Sequence, residues 1–140
     1  MTVPWEQLHG AMTHFPIALL LFSAACDFGS VVLGKMAFAS ELRKVSIYGL
    51  AVSAVASIGA VVSGIALTKG NMWGHGELGW HHRFLWPAFG LLIALAIWRL
   101  LVRDQMSRAG LCVYLFLMFL TSGLIAAAGY FGGELLLGGG

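Results

Sequence analysis

The chain has 140 residues, 59% of them hydrophobic and only 10% charged, with a mean hydropathy of +0.87. A soluble domain carries about 25% charged residues, and a chain this short cannot hide so much apolar side chain in a water-excluding core. The composition therefore predicts an integral membrane protein, and a net charge of +2 is too small to point to nucleic acid.

Four apolar stretches are long enough to cross a bilayer, whose hydrocarbon core of about 30 Å takes about 20 residues of helix. They cover residues 13–33, 45–67, 84–102 and 111–131, and the gaps between them hold nearly all the charge. The opening MTVPWEQLHG has no basic residue and no small-x-small site follows, so the first span is expected to be kept rather than cleaved as a signal. The expected fold is all-α: a single-domain four-helix up-down membrane bundle, with short loops joining antiparallel neighbours.

Charge gives an expected orientation. Lys35, Arg43, Lys44, Arg99, Arg103 and Arg108 fall on the side of the first and third loops. Only Lys69 and Arg83 fall on the side of the termini and the second loop. Basic residues favour the cytoplasm. Both termini are therefore expected on the outer, periplasmic side of a bacterial inner membrane, where Trp5, Trp73, Trp80 and Trp86 would form half of an interfacial aromatic belt.

On the second span, Gly49, Ser53, Ser57, Ala60, Gly64 and Thr68 recur at steps of three and four, a narrow stripe along which another helix can approach closely. The fourth span ends in a run of small residues including Gly129, Gly132 and Gly133, which either packs tightly or leaves room for a flat ligand. Cys26 and Cys112 read as buried packing thiols, and without a C-x-x-C-H motif a covalent haem is excluded.

All five histidines fall on the side of the termini: His9, His14, His75, His81 and His82. A neutral imidazole has a free ring nitrogen that can coordinate a metal. Thr13 is an expected helix cap, with Pro16 in the tolerant first turn and His14 projecting from the same turn. His14 would share a face with Ala18, Leu21 and Ala25, and His82 with Trp86, Gly90, Ile93 and Ile97. Two histidines at one level on two helices suit bis-histidine b-type haem, with His14 and His82 as ligands and Arg83 near a propionate. His81 competes with its neighbour His82, since the two point about 100° apart on a helix. His9 and His75 are expected in loops, where they would be solvated, contact a partner, serve a second haem, or hold copper or zinc with Met72 or Glu77 nearby. The plainer alternative makes every one of these histidines a polar anchor at headgroup level.

Asp27 lies inside the first span, where a charge needs a partner. Lys44 or Arg99 would neutralise it, or a protonated carboxyl would bond to Ser or Thr.

The segment LHGAMTHFPIALLL resembles the opening of the DUF2231 family of four-helix bacterial membrane proteins, whose first helix begins L-H-P-x-x-x-H-F-P-I-x-L. His9, His14, Phe15, Pro16, Ile17 and Leu19 match, while Gly10 stands in the place of a proline. The family's third helix also opens with a histidine, matched by His81 or His82. Its fourth ends G-G-x-L before a histidine and glycine; here Gly132, Gly133, Glu134 and Leu135 match, and glycine replaces that histidine. The resemblance implies a four-helix fold and makes the paired histidines a family feature.

The resulting expectation is a membrane subunit that holds haem b, one or two per chain, near the periplasmic face. It would exchange electrons with a c-type cytochrome, another membrane or periplasmic redox subunit, or quinol. The alternative is a non-catalytic anchor subunit whose histidines bond to a partner.

Overall fold

The computed structural model describes residues 4–137. It contains four helices and no strand among them: α1 (Trp5–Leu33), α2 (Ala37–Leu67), α3 (Gly76–Val102) and α4 (Arg108–Leu137). Each is long and apolar enough to cross a membrane. α1 packs closely on α2, and α3 on α4; contacts of α2 with α3 and of α1 with α4 are sparser. α1 and α3 lie on one diagonal and α2 and α4 on the other. The molecule is thus two tight hairpins laid side by side.

Small residues explain the tightness of the first hairpin. A Cβ on Gly49 would stand 2.5 Å from Ser23 Oγ, and one on Gly59 would stand 2.8 Å from the end of Met12. Glycine at position 49 admits this close approach, whereas at Gly59 the neighbour is the flexible end of Met12, which can move aside. In lipid, close packing replaces the hydrophobic drive that water supplies. Ser53 lies beside the same seam and donates to the carbonyl of Pro16 at 2.7 Å. The core proper is Leu20, Leu50, Leu92, Leu95, Tyr114 and Met118 with small neighbours. Most large side chains outside it, such as Phe22, Phe28, Val55, Leu101 and Phe116, are exposed. That inversion of the soluble pattern is what lipid as solvent demands.

The helices run further than hydropathy suggests. α1 begins eight residues before the expected start, and Thr13 is no cap; its hydroxyl bonds back to the Gly10 carbonyl at 2.9 Å within the helix. Pro16 consequently sits well inside α1. The buried face of α1 runs Pro16, Leu20, Ser23, Asp27 and Ser30. Continued backwards at the same steps, it meets Thr13 and His9, not His14.

At the end away from the termini, all four helices meet at one charge. Asp27 of α1 is buried and receives three hydrogen bonds: Arg99 Nη2 of α3 at 2.9 Å, Ser46 Oγ of α2 at 2.5 Å and Tyr114 Oη of α4 at 2.8 Å. Arg99 also donates to the Arg103 carbonyl at the end of its own helix. Of the two cations expected near Asp27, the structure selects Arg99. Lys44 is exposed and pairs with Glu41 one turn away at 2.8 Å. Of the two cysteines expected to be buried, Cys26 is, whereas Cys112 is exposed.

Candidate functional site

The opposite end of the bundle is hollow. A cavity of about 510 Å³ opens between the helices there, within the range of small-molecule sites. All four helices line it, and its walls are mainly apolar or small. His9 and His14 enter it from α1, and His81 and His82 from α3. Glycine creates the room on α2 and α4: Gly64 lies under the His9 ring and Gly132 under the His81 ring.

The four imidazoles are held differently. His9 Nδ1 lies 3.1 Å from the Ala60 carbonyl and 3.0 Å from Ser63 Oγ. The Ser63 hydroxyl donates to that same carbonyl at 2.8 Å. A carbonyl only accepts, so Nδ1 of His9 carries the proton and donates. His81 repeats the arrangement on the other hairpin, with Nδ1 2.7 Å from the Ala128 carbonyl. In each neutral ring the lone pair is therefore on Nε2. An Nδ1–H fixed on a backbone carbonyl is how proteins orient a histidine whose Nε2 binds a metal.

His82 is 6% exposed and its Nδ1 has no hydrogen-bond partner. Its ring lies 6.1 Å from Trp86, nearly parallel. A buried nitrogen without a partner is costly in an unliganded protein. His14, by contrast, is exposed at the cavity rim and takes no part in the hydrogen bonds described.

The remaining sequence candidates lie outside. Arg83 is exposed, with its guanidinium 4.7 Å from the Trp80 ring centre, and it does not line the cavity. His75 is the exposed residue preceding α3. His9, expected in a loop, is on α1 instead. Gly90 is exposed and does not line the cavity; the glycines that do are Gly10 of α1, Gly64 of α2 and Gly129, Gly132 and Gly133 of α4. Ala18, Leu21 and Ala25, expected to share the face of His14, are all exposed, so that face turns away from the bundle interior. The family's fourth-helix histidine position, filled here by a terminal glycine, lies outside the described residues.

Among the described residues no three His, Cys, Asp or Glu side chains converge as a bare zinc or copper ion requires. The site offers instead imidazoles from two diagonal helices, two from each, lining an apolar space.

No curated protein matches the chain, and neither does any solved structure. A family model described as "Predicted membrane protein (DUF2231)" matches residues 6–140. The chain belongs to the DUF2231 family of membrane proteins.

Proposed function

We propose that the protein holds one haem b in the cavity between the hairpins and exchanges its electron with a redox partner at the membrane edge. One observation carries this reading: an apolar cavity of about 510 Å³ is entered by imidazoles from two diagonal helices, two of them with Nδ1 tied to backbone carbonyls. Haem needs only two protein ligands, one on each side of the macrocycle, and apolar and small side chains around it. The residues fit that demand: Leu85, Phe89 and Leu92 line the cavity from α3, and Gly64 and Gly132 let the His9 and His81 rings lie close against α2 and α4. When bound, the haem supplies a one-electron couple. The chain's part is to fix the ligands, keep water from the iron and set the potential through burial. Arg83 has no place in this version, because it lies away from the cavity.

The histidine-lined cavity would take one haem; a second pocket, between Met12, Phe15 and Val55, offers no histidine. The distribution of Lys and Arg supports placing this end outward, where a periplasmic c-type cytochrome domain or quinol would meet it. In the competing anchor reading the histidines bond to a partner subunit. His9 and His81 spend Nδ1 within the chain and line the cavity between the hairpins, which favours a ligand there over an anchor.

The test is an optical spectrum of the protein purified from haem-replete cells. The reading expects a reduced-minus-oxidised α band in the b-type range. A folded protein that carries no Soret band and takes up no added haem overturns it.

A further inference from the structure

The two hairpins share more than a shape. A shift of 72 positions, the separation of Asp27 and Arg99, carries every α1 residue that lines the cavity onto a lining residue of α3. His9 falls on His81, His14 on Trp86 and Gly10 on His82. A shift of 68 positions (60 to 128) does the same from α4 back to α2: every α4 lining residue has an α2 lining residue as its mate. The match extends below the cavity. Leu20 and Leu92 are both buried, as are Leu50 and Met118, and Ser53 and Thr121. Ser46 and Tyr114, also 68 positions apart, both donate to Asp27. Asp27 and Arg99 are themselves mates.

Any up-down four-helix bundle has a rough two-fold shape, so shape alone decides nothing. The chemistry at the histidines goes further. His9 bonds to the carbonyl of Ala60 and lies over Gly64, four residues on. His81 bonds to the carbonyl of Ala128 and lies over Gly132, again four residues on. Position 64 maps onto 132 by the same shift that maps 60 onto 128. Each ring is thus held by one carbonyl and one glycine a turn apart, on the partner helix of its own hairpin.

We infer that the chain is two copies of one helical hairpin about an approximate two-fold axis along the bundle, and that His9 and His81, its symmetry mates, are the two axial ligands, binding through Nε2. This rests on the haem reading and assigns its ligands. Repeats related by an axis along the membrane normal are a known way to build a site between two halves. A bis-histidine haem suits that axis because its two ligands are chemically equivalent and approach from opposite sides. His14 and His82 do not qualify, since their mates are a tryptophan and a glycine. Both instead mark where the halves differ, and the unpartnered Nδ1 of His82 is a polar group offered to one side of the ligand only.

The experiment titrates ferric protoporphyrin IX into the full-length protein in detergent and reads the spin state by absorption and electron paramagnetic resonance. The wild type is expected to be low-spin and six-coordinate. His9→Ala and His81→Ala should each lose the low-spin signal, to the same extent, while His14→Ala and His82→Ala keep it. Should an alanine variant not fold, His9→Met and His81→Met keep the volume and offer a sulfur ligand. Both should then raise the midpoint potential in the same direction. Loss of the low-spin state in His14→Ala or His82→Ala, with retention in His9→Ala or His81→Ala, overturns the assignment and leaves the haem reading standing. A wild type that takes up no porphyrin overturns the haem reading and the assignment with it.

Discussion

The two ends of this bundle put their inward polar groups to different use. At the Asp27 end, every helix sends a polar side chain inward and they converge on one carboxylate, which takes three hydrogen bonds and whose charge is matched by Arg99 at 2.9 Å, while Arg99 Nε keeps no partner. At the histidine end, the polar groups are only half used. His9 and His81 each spend Nδ1 and keep Nε2, and His82 keeps a buried Nδ1 with no partner. The Asp27 network, with its charges matched, accounts for itself as a lock between the hairpins. The histidine end has valences to spare around a cavity, which is the condition of a binding site. The symmetry-related positions thus differ with depth: opposite charges cancel at one end, and like imidazoles line a cavity at the other.

That contrast fails if the Asp27 end proves dispensable. Asp27→Ala or Arg99→Ala leaves an unmatched charge in the membrane interior and should cost about 3–5 kcal/mol, measured by unfolding in mixed micelles with increasing SDS. The paired Asp27→Leu, Arg99→Met variant should recover most of that loss, because it removes the stranded charge. A paired variant as unstable as the singles would mean that the network does more than neutralise itself.

The seam between α1 and α2 gives the next effect. Gly49→Leu drives a side chain into Ser23 Oγ, 2.5 Å from where the new Cβ would be. Overpacking of this kind costs about 1–3 kcal/mol, and the same unfolding assay reads it. Ser63→Ala acts at the open end instead. It removes one of the two acceptors that hold His9 and should weaken haem affinity about tenfold, the low end for a group supporting a metal ligand. Stability should barely move, and an equal loss of stability would place Ser63 with the lock rather than the site. The smallest effect belongs to Ser53→Ala, which removes an interhelical bond worth about 0.6 kcal/mol.

Hydropathy made the four helices legible, because lipid-facing residues must be apolar whatever else they do. It failed at the helix ends. The first turns of α1 carry Glu6, Gln7 and His9, which do not look like a span, yet they continue the helix above the apolar stretch. Cutting α1 at Thr13 put His9 in a loop and promoted His14, which is exposed at the rim. A usable signal was present: His9, Pro16, Ser23 and Ser30 recur every seven residues along one face, and His14 is out of phase. The pairing of Asp27 with Arg99 was narrowed to two cations by depth, and only the packing of α1, α3 and α4 chose between them. The repeat of the hairpins is nearly invisible in sequence. Lipid constrains composition more than identity, so mates such as Leu50 and Met118, or Ser46 and Tyr114, keep their place without keeping their residue type.

The most direct test is the haem content of the wild type and of the His9→Ala, His81→Ala double variant, both expressed with haem precursor and assayed as pyridine haemochrome per folded chain. The account predicts one b-type haem in the wild type and none in the double variant, with the helical content and the Asp27 lock unchanged. A folded wild type without haem, or a double variant that retains the full complement, would contradict it.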